Sequence, residues 1–273
     1  MNVYAIQMNL AWEDKRANYQ TARRLIAAAK PLPGSLMVLP ELFATGFSMH
    51  VEAIAESPGG ETSQFLSRTA QEVGVYLVGG VAARIKTGKG RNEALLYGPD
   101  GSIQARYAKA HVFNPAGEGD HYECGTAPVL APWQEEKLAL FVCYDLRFPE
   151  VFRLAALQGA TVAVVIANWP TVRIGHWMAL LQARAIENQM FVVGVNRCGQ
   201  TPKLAYDGRS LIVDPLGKIL ADGGTSEGVI QATLDHRVLE QWRQEFPVLA
   251  DTRAEHFAAC QQTMNNQPPP GNP

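Results

Sequence analysis

The chain has 273 residues, 47% of them hydrophobic, and a formal net charge of −2 with no block of like charges. That balance can fill one large apolar core and offers nothing to attract a polyanion or an anionic membrane, so neither nucleic acid nor membrane is expected as a partner. No run of about 18 apolar residues occurs, and the opening MNVYAIQMNLAWEDK lacks the basic region and cleavage site of a signal peptide. The four cysteines, Cys124, Cys143, Cys198 and Cys260, show no paired spacing. They fit a reducing cytoplasm better than a disulfide framework.

Residues 3–8 read as a first strand. Residues 13–30 read as a helix with Ala22, Leu25, Ile26 and Ala29 on one face, stopped by Pro31, Pro33 and Gly34. A short apolar strand, 36–39, ends at Pro40. Thr62 or Ser63 is expected to cap a helix that carries Phe65, Leu66, Thr69, Ala70 and Val73 and ends at Gly74. Strands follow over 75–85, 92–97 and 103–107, the last two joined by a turn at Pro99-Asp100-Gly101. Residues 138–143 form the next strand, 152–157 belong to a helix stopped by Gly159, and 162–167 are a fully apolar strand. A helix over 173–188 turns Trp177, Leu180, Leu181 and Ala185 inward. Strands over 191–195, 211–213 and 229–234 complete the pattern, with a turn at residues 215–218. The order predicts an α/β protein with mixed sheets covered by helices. One domain is expected over 1–257. A tail over 258–273, ending NNQPPPGNP, is expected to be disordered. No internal repeat of solenoid length is visible.

Three apolar strands end in a reactive side chain. Residues 36–39 lead to Pro40-Glu41, residues 103–107 to Ala108-Lys109-Ala110-His111, and residues 138–142 to Cys143. Strand ends gather along one rim of a sheet, where ligand sites of α/β proteins form. A thiol at such a turn, before a helix start, is expected to favour the thiolate. The trio suits acyl transfer. Cysteine attacks a carbonyl, glutamate moves the proton, and Lys109 with the Tyr144 backbone N–H holds the oxyanion.

Pro40-Glu41-Leu42-Phe43, Tyr107-Ala108-Lys109-Ala110-His111-Val112-Phe113 and Cys143-Tyr144-Asp145-Leu146-Arg147-Phe148-Pro149-Glu150 together resemble the nitrilase, or carbon–nitrogen hydrolase, superfamily. The resemblance runs from residue 3 to about residue 257. It implies an α-β-β-α sandwich of two mixed sheets flanked by helices, and a Glu41-Lys109-Cys143 triad. It also implies that Glu118, in Ala116-Gly117-Glu118-Gly119-Asp120, helps position the base or water. An arginine common in the family is replaced by Ala108, beside the lysine. The family commonly pairs through helices near its nucleophile, so a homodimer is expected.

The stretch Ala167-Asn168-Trp169-Pro170-Thr171-Val172-Arg173, with Thr45-Gly46-Phe47, is similar to the ω-amidase branch. That branch splits the terminal amide of 2-oxoglutaramate and 2-oxosuccinamate. Such a substrate needs an anion clamp, for which Arg173 is the candidate. Phe43, Phe47 and Trp169 are candidates for the pocket wall. Arg147 and Arg184 read as internal ion-pair residues. Another amidase, a carbamoylase or a nitrilase proper remains the alternative. No metal or organic cofactor is expected: His121, Glu123 and Cys124 crowd one loop, and neither Cys-x-x-Cys nor His-Glu-x-x-His is present. A serine hydrolase is disfavoured because the Gly-x-Ser-x-Gly match, Gly224-Thr225-Ser226-Glu227-Gly228, leads into an expected strand and not from a strand into a helix, as a nucleophile elbow does.

Overall fold

The computed structural model describes residues 1–201 and 203–253. The expected tail, 258–273, and the domain end at 257 lie outside the described residues. The strands are β1 (Asn2–Gln7), β2 (Leu36–Val38), β3 (Tyr76–Arg84), β4 (Gly90–Tyr97), β5 (Ile103–Ala108), β6 (Leu130–Trp133) and β7 (Glu136–Val142). They continue as β8 (Val162–Ala167), β9 (Phe191–Asn196), β10 (Cys198–Gln200), β11 (Ala205–Asp207), β12 (Leu211–Val213), β13 (Ile219–Asp222) and β14 (Gly228–Thr233). The helices are α1 (Lys15–Ala29), α2 (Val51–Ile54), α3 (Glu61–Val73), α4 (Glu118–His121), α5 (Pro149–Leu157), α6 (Ile174–Asn188) and α7 (His236–Glu245).

Two mixed sheets form, in the orders β14-β1-β2-β3-β4-β5 and β13-β12-β9-β8-β7-β6. Each has three parallel strands at its centre, β1-β2-β3 in one and β7-β8-β9 in the other, with antiparallel neighbours on both sides. The two halves thus share one pairing plan although no repeat is visible in the residues. Backbone pairing depends on apolar strands of the right length, not on residue identity.

Alternation along β1 and β2 sets the layers. Val3, Ala5, Leu36 and Val38 join the apolar strands of the second sheet in one core. Tyr4, Ile6 and Met37 point the other way, onto Leu25 and Ile26 of α1 and Phe65 and Leu66 of α3. Strands covered on both faces read as continuous apolar runs, as these do. Phe152 of α5 and Trp177 and Leu181 of α6 pack on the second sheet. The result is the expected four-layer α-β-β-α sandwich.

Two local expectations are corrected. Neither Thr62 nor Ser63 caps α3. Gly60 holds that position without a side-chain bond, and both residues are buried inside the first turn. No α-helix starts at Cys143 either: a 3₁₀ turn, Cys143–Arg147, intervenes before α5.

Gly80 in β3 fixes how closely the loop after β2 approaches the first sheet. A Cβ there would lie 2.2 Å from Leu42 N and 2.7 Å from Glu41 Cα, both backbone atoms. Gly80→Ala must therefore push the Glu41 segment outward, at a cost of about 2–3 kcal/mol, as for other overpacked cores. The expected outcome is a thermal midpoint lowered by several degrees, read by calorimetry, together with a loss of Glu41 alignment.

Candidate active site

The rim where the central strands of both sheets end holds the expected trio. Glu41 stands three residues beyond β2, Lys109 directly follows β5, and Cys143 directly follows β7. Lys109 Nζ lies 3.1 Å from Glu41 Oε1, and 3.0 and 2.8 Å from the two oxygens of Glu118. All three side chains are fully buried. Glu118 reaches this point because Gly117, in the left-handed region, turns the chain into α4. One Glu118 oxygen also accepts the Phe113 N–H, at 2.5 Å.

Two asparagines complete the cluster. Asn92 Nδ2, from β4, donates to Glu41 at 2.7 Å and to Glu118 at 3.0 Å. Asn168, directly after β8, donates its backbone N–H to Glu41 Oε2 at 2.7 Å and its Nδ2 to the Glu41 carbonyl at 2.7 Å. Glu41 is therefore held from both sheets. Asn196, the last residue of β9, fixes the next loop residue: its side chain accepts the Trp169 N–H and donates to the Trp169 carbonyl.

Charge settles the resting protonation of two groups. Burial alone would lower the Lys109 pKa, but the Glu41 and Glu118 carboxylates outweigh it and hold the amine above its ordinary value. Lys109 is thus an ammonium. Its Nζ also sits 5.1 Å from the centroid of the Phe47 ring. Cys143 runs the other way. Burial first, then the Glu41 charge, push the thiol well above its ordinary value, against the pull of Lys109 and of the Asn168 N–H. The expectation of a resting thiolate is corrected, because burial disfavours the charged sulfur and the Glu41 carboxylate repels it. Cys143 has φ +46°, the left-handed region that a non-glycine residue occupies only when its surroundings impose it. The turn presents the half-buried thiol to a cavity.

That cavity, of about 90 Å³, is lined by Cys143 and Tyr144, by Phe47, Phe113 and Trp169, and by Arg147 and Arg173, among others. Phe47, Trp169 and Arg173 stand where the sequence places them. Phe43 does not. It is fully buried between the first sheet and its helices, in contact with Tyr19 and Phe65. A residue two positions from Glu41 falls on the opposite side of the loop. Arg184 does pair internally, with Glu187 and the Leu146 carbonyl. Arg147 does not: its guanidinium lies 4.8 Å over the Trp169 ring, with His176 Nδ1 at 3.3 Å as its polar neighbour. Arg173 lies 5.5 Å over the Phe113 ring. Neither guanidinium meets a carboxylate among the described residues.

Asn92 and Asp145 were not singled out from the sequence. Asn92 carried little signal, since it stands between Arg91 and Glu93 in the polar first half of its strand. Asp145 carried only its place two residues after the nucleophile.

The carbon–nitrogen hydrolase family model matches residues 2–244. The chain is 36% identical to a 2-oxoglutaramate amidase of Bacillus subtilis (strain 168), over 81% of this chain and 86% of that protein. It is 35% identical to the omega-amidase YafV of Escherichia coli (strain K12), over 92% and 96% of the two chains. Among solved structures, a CN-hydrolase superfamily protein of Xanthomonas campestris, with an arsenic adduct in its active site, superposes with a TM-score of 0.86 at 32% identity. The match covers 93% of this chain and 97% of that one. With the buried Glu41-Lys109-Glu118 cluster set beside Cys143, these matches place the chain in the carbon–nitrogen hydrolase family, as a hydrolase of non-peptide carbon–nitrogen bonds.

Proposed function

We propose that the protein hydrolyses the terminal amide of small 2-oxo acid ω-amides, 2-oxoglutaramate and 2-oxosuccinamate, to the 2-oxo acid and ammonia. The observation that carries this reading is a cavity lined by a thiol and by two guanidiniums that meet no carboxylate among the described residues, with a buried Glu-Lys-Glu cluster whose charges act on that thiol. The relatives named 2-oxoglutaramate amidase and omega-amidase support the choice of substrate.

The chemistry follows from the resting charges. Glu41 takes the thiol proton as sulfur attacks the amide carbon, because burial and the Glu41 charge favour the thiol form of Cys143 at rest. The carbonyl oxygen becomes an oxyanion, met by the Lys109 ammonium and the Tyr144 N–H. Lys109 cannot act as the base, since two carboxylates keep it protonated. Glu41 returns its proton to the amide nitrogen, the carbon–nitrogen bond breaks, and ammonia leaves an acyl-thioester. Glu41 then takes a proton from water, hydroxide adds to the thioester, and the carbon–sulfur bond breaks. The released sulfur takes that proton back. Glu118 keeps the ammonium aimed during both steps through its two contacts with Nζ.

Recognition of the acid end falls to Arg147 and Arg173. A guanidinium on an aromatic face with no acid beside it is available for a bidentate carboxylate contact. Among the described residues, no Asp or Glu lines the cavity. A substrate ammonium would meet two guanidiniums and no carboxylate in that wall, so glutamine is disfavoured by the same groups that accept its 2-oxo counterpart.

Ammonia release measured with 2-oxoglutaramate, glutamine, a simple nitrile and an N-carbamoyl amino acid tests the substrate. Turnover of the first alone is expected, and preference for any other removes this reading. Glu41→Gln should lower kcat by about 10²–10⁴-fold, the range for a lost general acid–base, and Cys143→Ala should abolish turnover with the fold intact by circular dichroism. Arg147→Met and Arg173→Met should each raise KM for 2-oxoglutaramate by roughly 10–100-fold, as for a lost charged hydrogen bond, while butyramide hydrolysis stays unchanged. We also propose a homodimer, for which the exposed Leu154 and Leu157 of α5 offer apolar surface. A monomer in sedimentation at micromolar concentration would remove it.

A further inference from the structure

We infer that Asp145 is a positioning residue that sets Cys143 against Lys109, a role resting on the amidase reading above. The two reacting groups come from different sheets: Cys143 follows β7 of the second, and Lys109 follows β5 of the first. Sheets packed through apolar side chains have no directional tie, so something polar must fix the spacing at the rim. Asp145 is fully buried and bonds to both segments. Its Oδ2 accepts the N–H of Val142, the residue before the nucleophile, at 3.0 Å, and the hydroxyl of Tyr107, two residues before the lysine, at 2.8 Å. Its Oδ1 accepts the N–H of His111, two residues after the lysine, at 2.9 Å, and lies 2.9 Å from His111 Nδ1. Tyr107 closes the loop, its hydroxyl accepting the Ala110 N–H at 3.2 Å. The His111 ring is in turn stacked on Phe148 at 3.8 Å, at the end of the nucleophile's turn.

Four donor contacts on two oxygens suit a carboxylate, which accepts at both atoms and donates at neither. An asparagine of the same shape would present its NH₂ either to Val142 N and Tyr107 or to His111. One half of the tie would then open. The base is not held this way. Glu41 has its own link to the second sheet through Asn168. Loss of Asp145 therefore displaces Cys143 from the oxyanion-binding lysine more than from Glu41. Misplacement of a reacting group by about 1 Å costs roughly 100-fold in rate.

The test compares two reactions of Cys143 in the full chain. Amide hydrolysis needs Lys109 for the oxyanion. Alkylation by iodoacetamide at carbon makes no oxyanion, so Lys109 bears on it only through the charge it offers the sulfur. In Asp145→Asn, kcat for 2-oxoglutaramate is expected to fall about 100-fold with KM held within about threefold, as for misplacement, while alkylation of Cys143, followed by mass, slows by less than about threefold. A merely structural role would lower both reactions alike, or neither, and either result overturns the inference. Tyr107→Phe removes one of the four contacts and keeps the ring in its packing. It should show a smaller loss of kcat in the same pattern, and an unchanged kcat there also overturns the inference, even where Asp145→Asn does not fold. Wild-type protein that alkylates at Cys143 yet leaves 2-oxoglutaramate intact would remove the substrate reading and not this one; any amide that it does hydrolyse then serves for the comparison.

Discussion

The site depends on a buried ion cluster, one ammonium between two carboxylates, closed off from water. Removing such charges from solvent costs several kcal/mol each. The cost is offset only when opposite charges touch and the remaining lone pairs find donors. Here Lys109 contacts both acids, and Asn92, Asn168 and the Phe113 N–H supply the donors. Asn92 Oδ1 and Asn168 Oδ1 are left buried without a partner among the described residues. Each amide is turned so that its nitrogen serves a carboxylate and its oxygen goes unmet, which shows which contact the packing favours. The cluster in turn dictates the chemistry. A lysine locked as an ammonium is a fixed electrostatic donor, and a thiol beside a carboxylate stays protonated until a substrate arrives.

The two-sheet plan explains why the cluster can exist. Each sheet sends parallel strands to the same rim, so groups far apart in the chain end at one level. Polar crossing bonds then set their spacing. Gly80 allows the Glu41 backbone to press against β3 with no side chain between them. Asn196 pins the loop that carries Asn168 and Trp169, and it also donates to the Gly208 carbonyl ahead of β12. The rim is therefore stiff where the core alone would leave it free to slide.

Much of this was legible in the residues. Apolar runs that end in Glu41, Lys109 and Cys143 gave the strands, and the three motifs that carry the family resemblance gave the order. Phe43 was misplaced because spacing along an irregular loop does not say which way a side chain turns. Its ring joined Tyr19 and Phe65 in the outer core. Arg147 was read as a pair-former because it stood in a helix-like pattern. The segment is a 3₁₀ turn instead, with a different set of facing residues. The thiol's state was missed for a similar reason: a pKa depends on which charges arrive through space, and Glu41 lies far from Cys143 in the chain. Asp145 was invisible because its partners, at 107 and 111, become neighbours only when the sheets pack.

Charge also separates substrate from product in the proposed reaction. Before the reaction the end of the substrate at Cys143 is a neutral amide, while its far end is an anion near Arg147 and Arg173. Those guanidiniums hold the far end equally before and after, so they add affinity without favouring either state. Hydrolysis turns the near end into a second carboxylate, formed beside Glu41 and Glu118 with only Lys109 between them. Two acids against one ammonium leave the cluster net negative, and at contact distance in a dry site that repulsion is larger than in water. The same Glu41 that must be present to move the proton is thus the group that makes the product acid unwelcome.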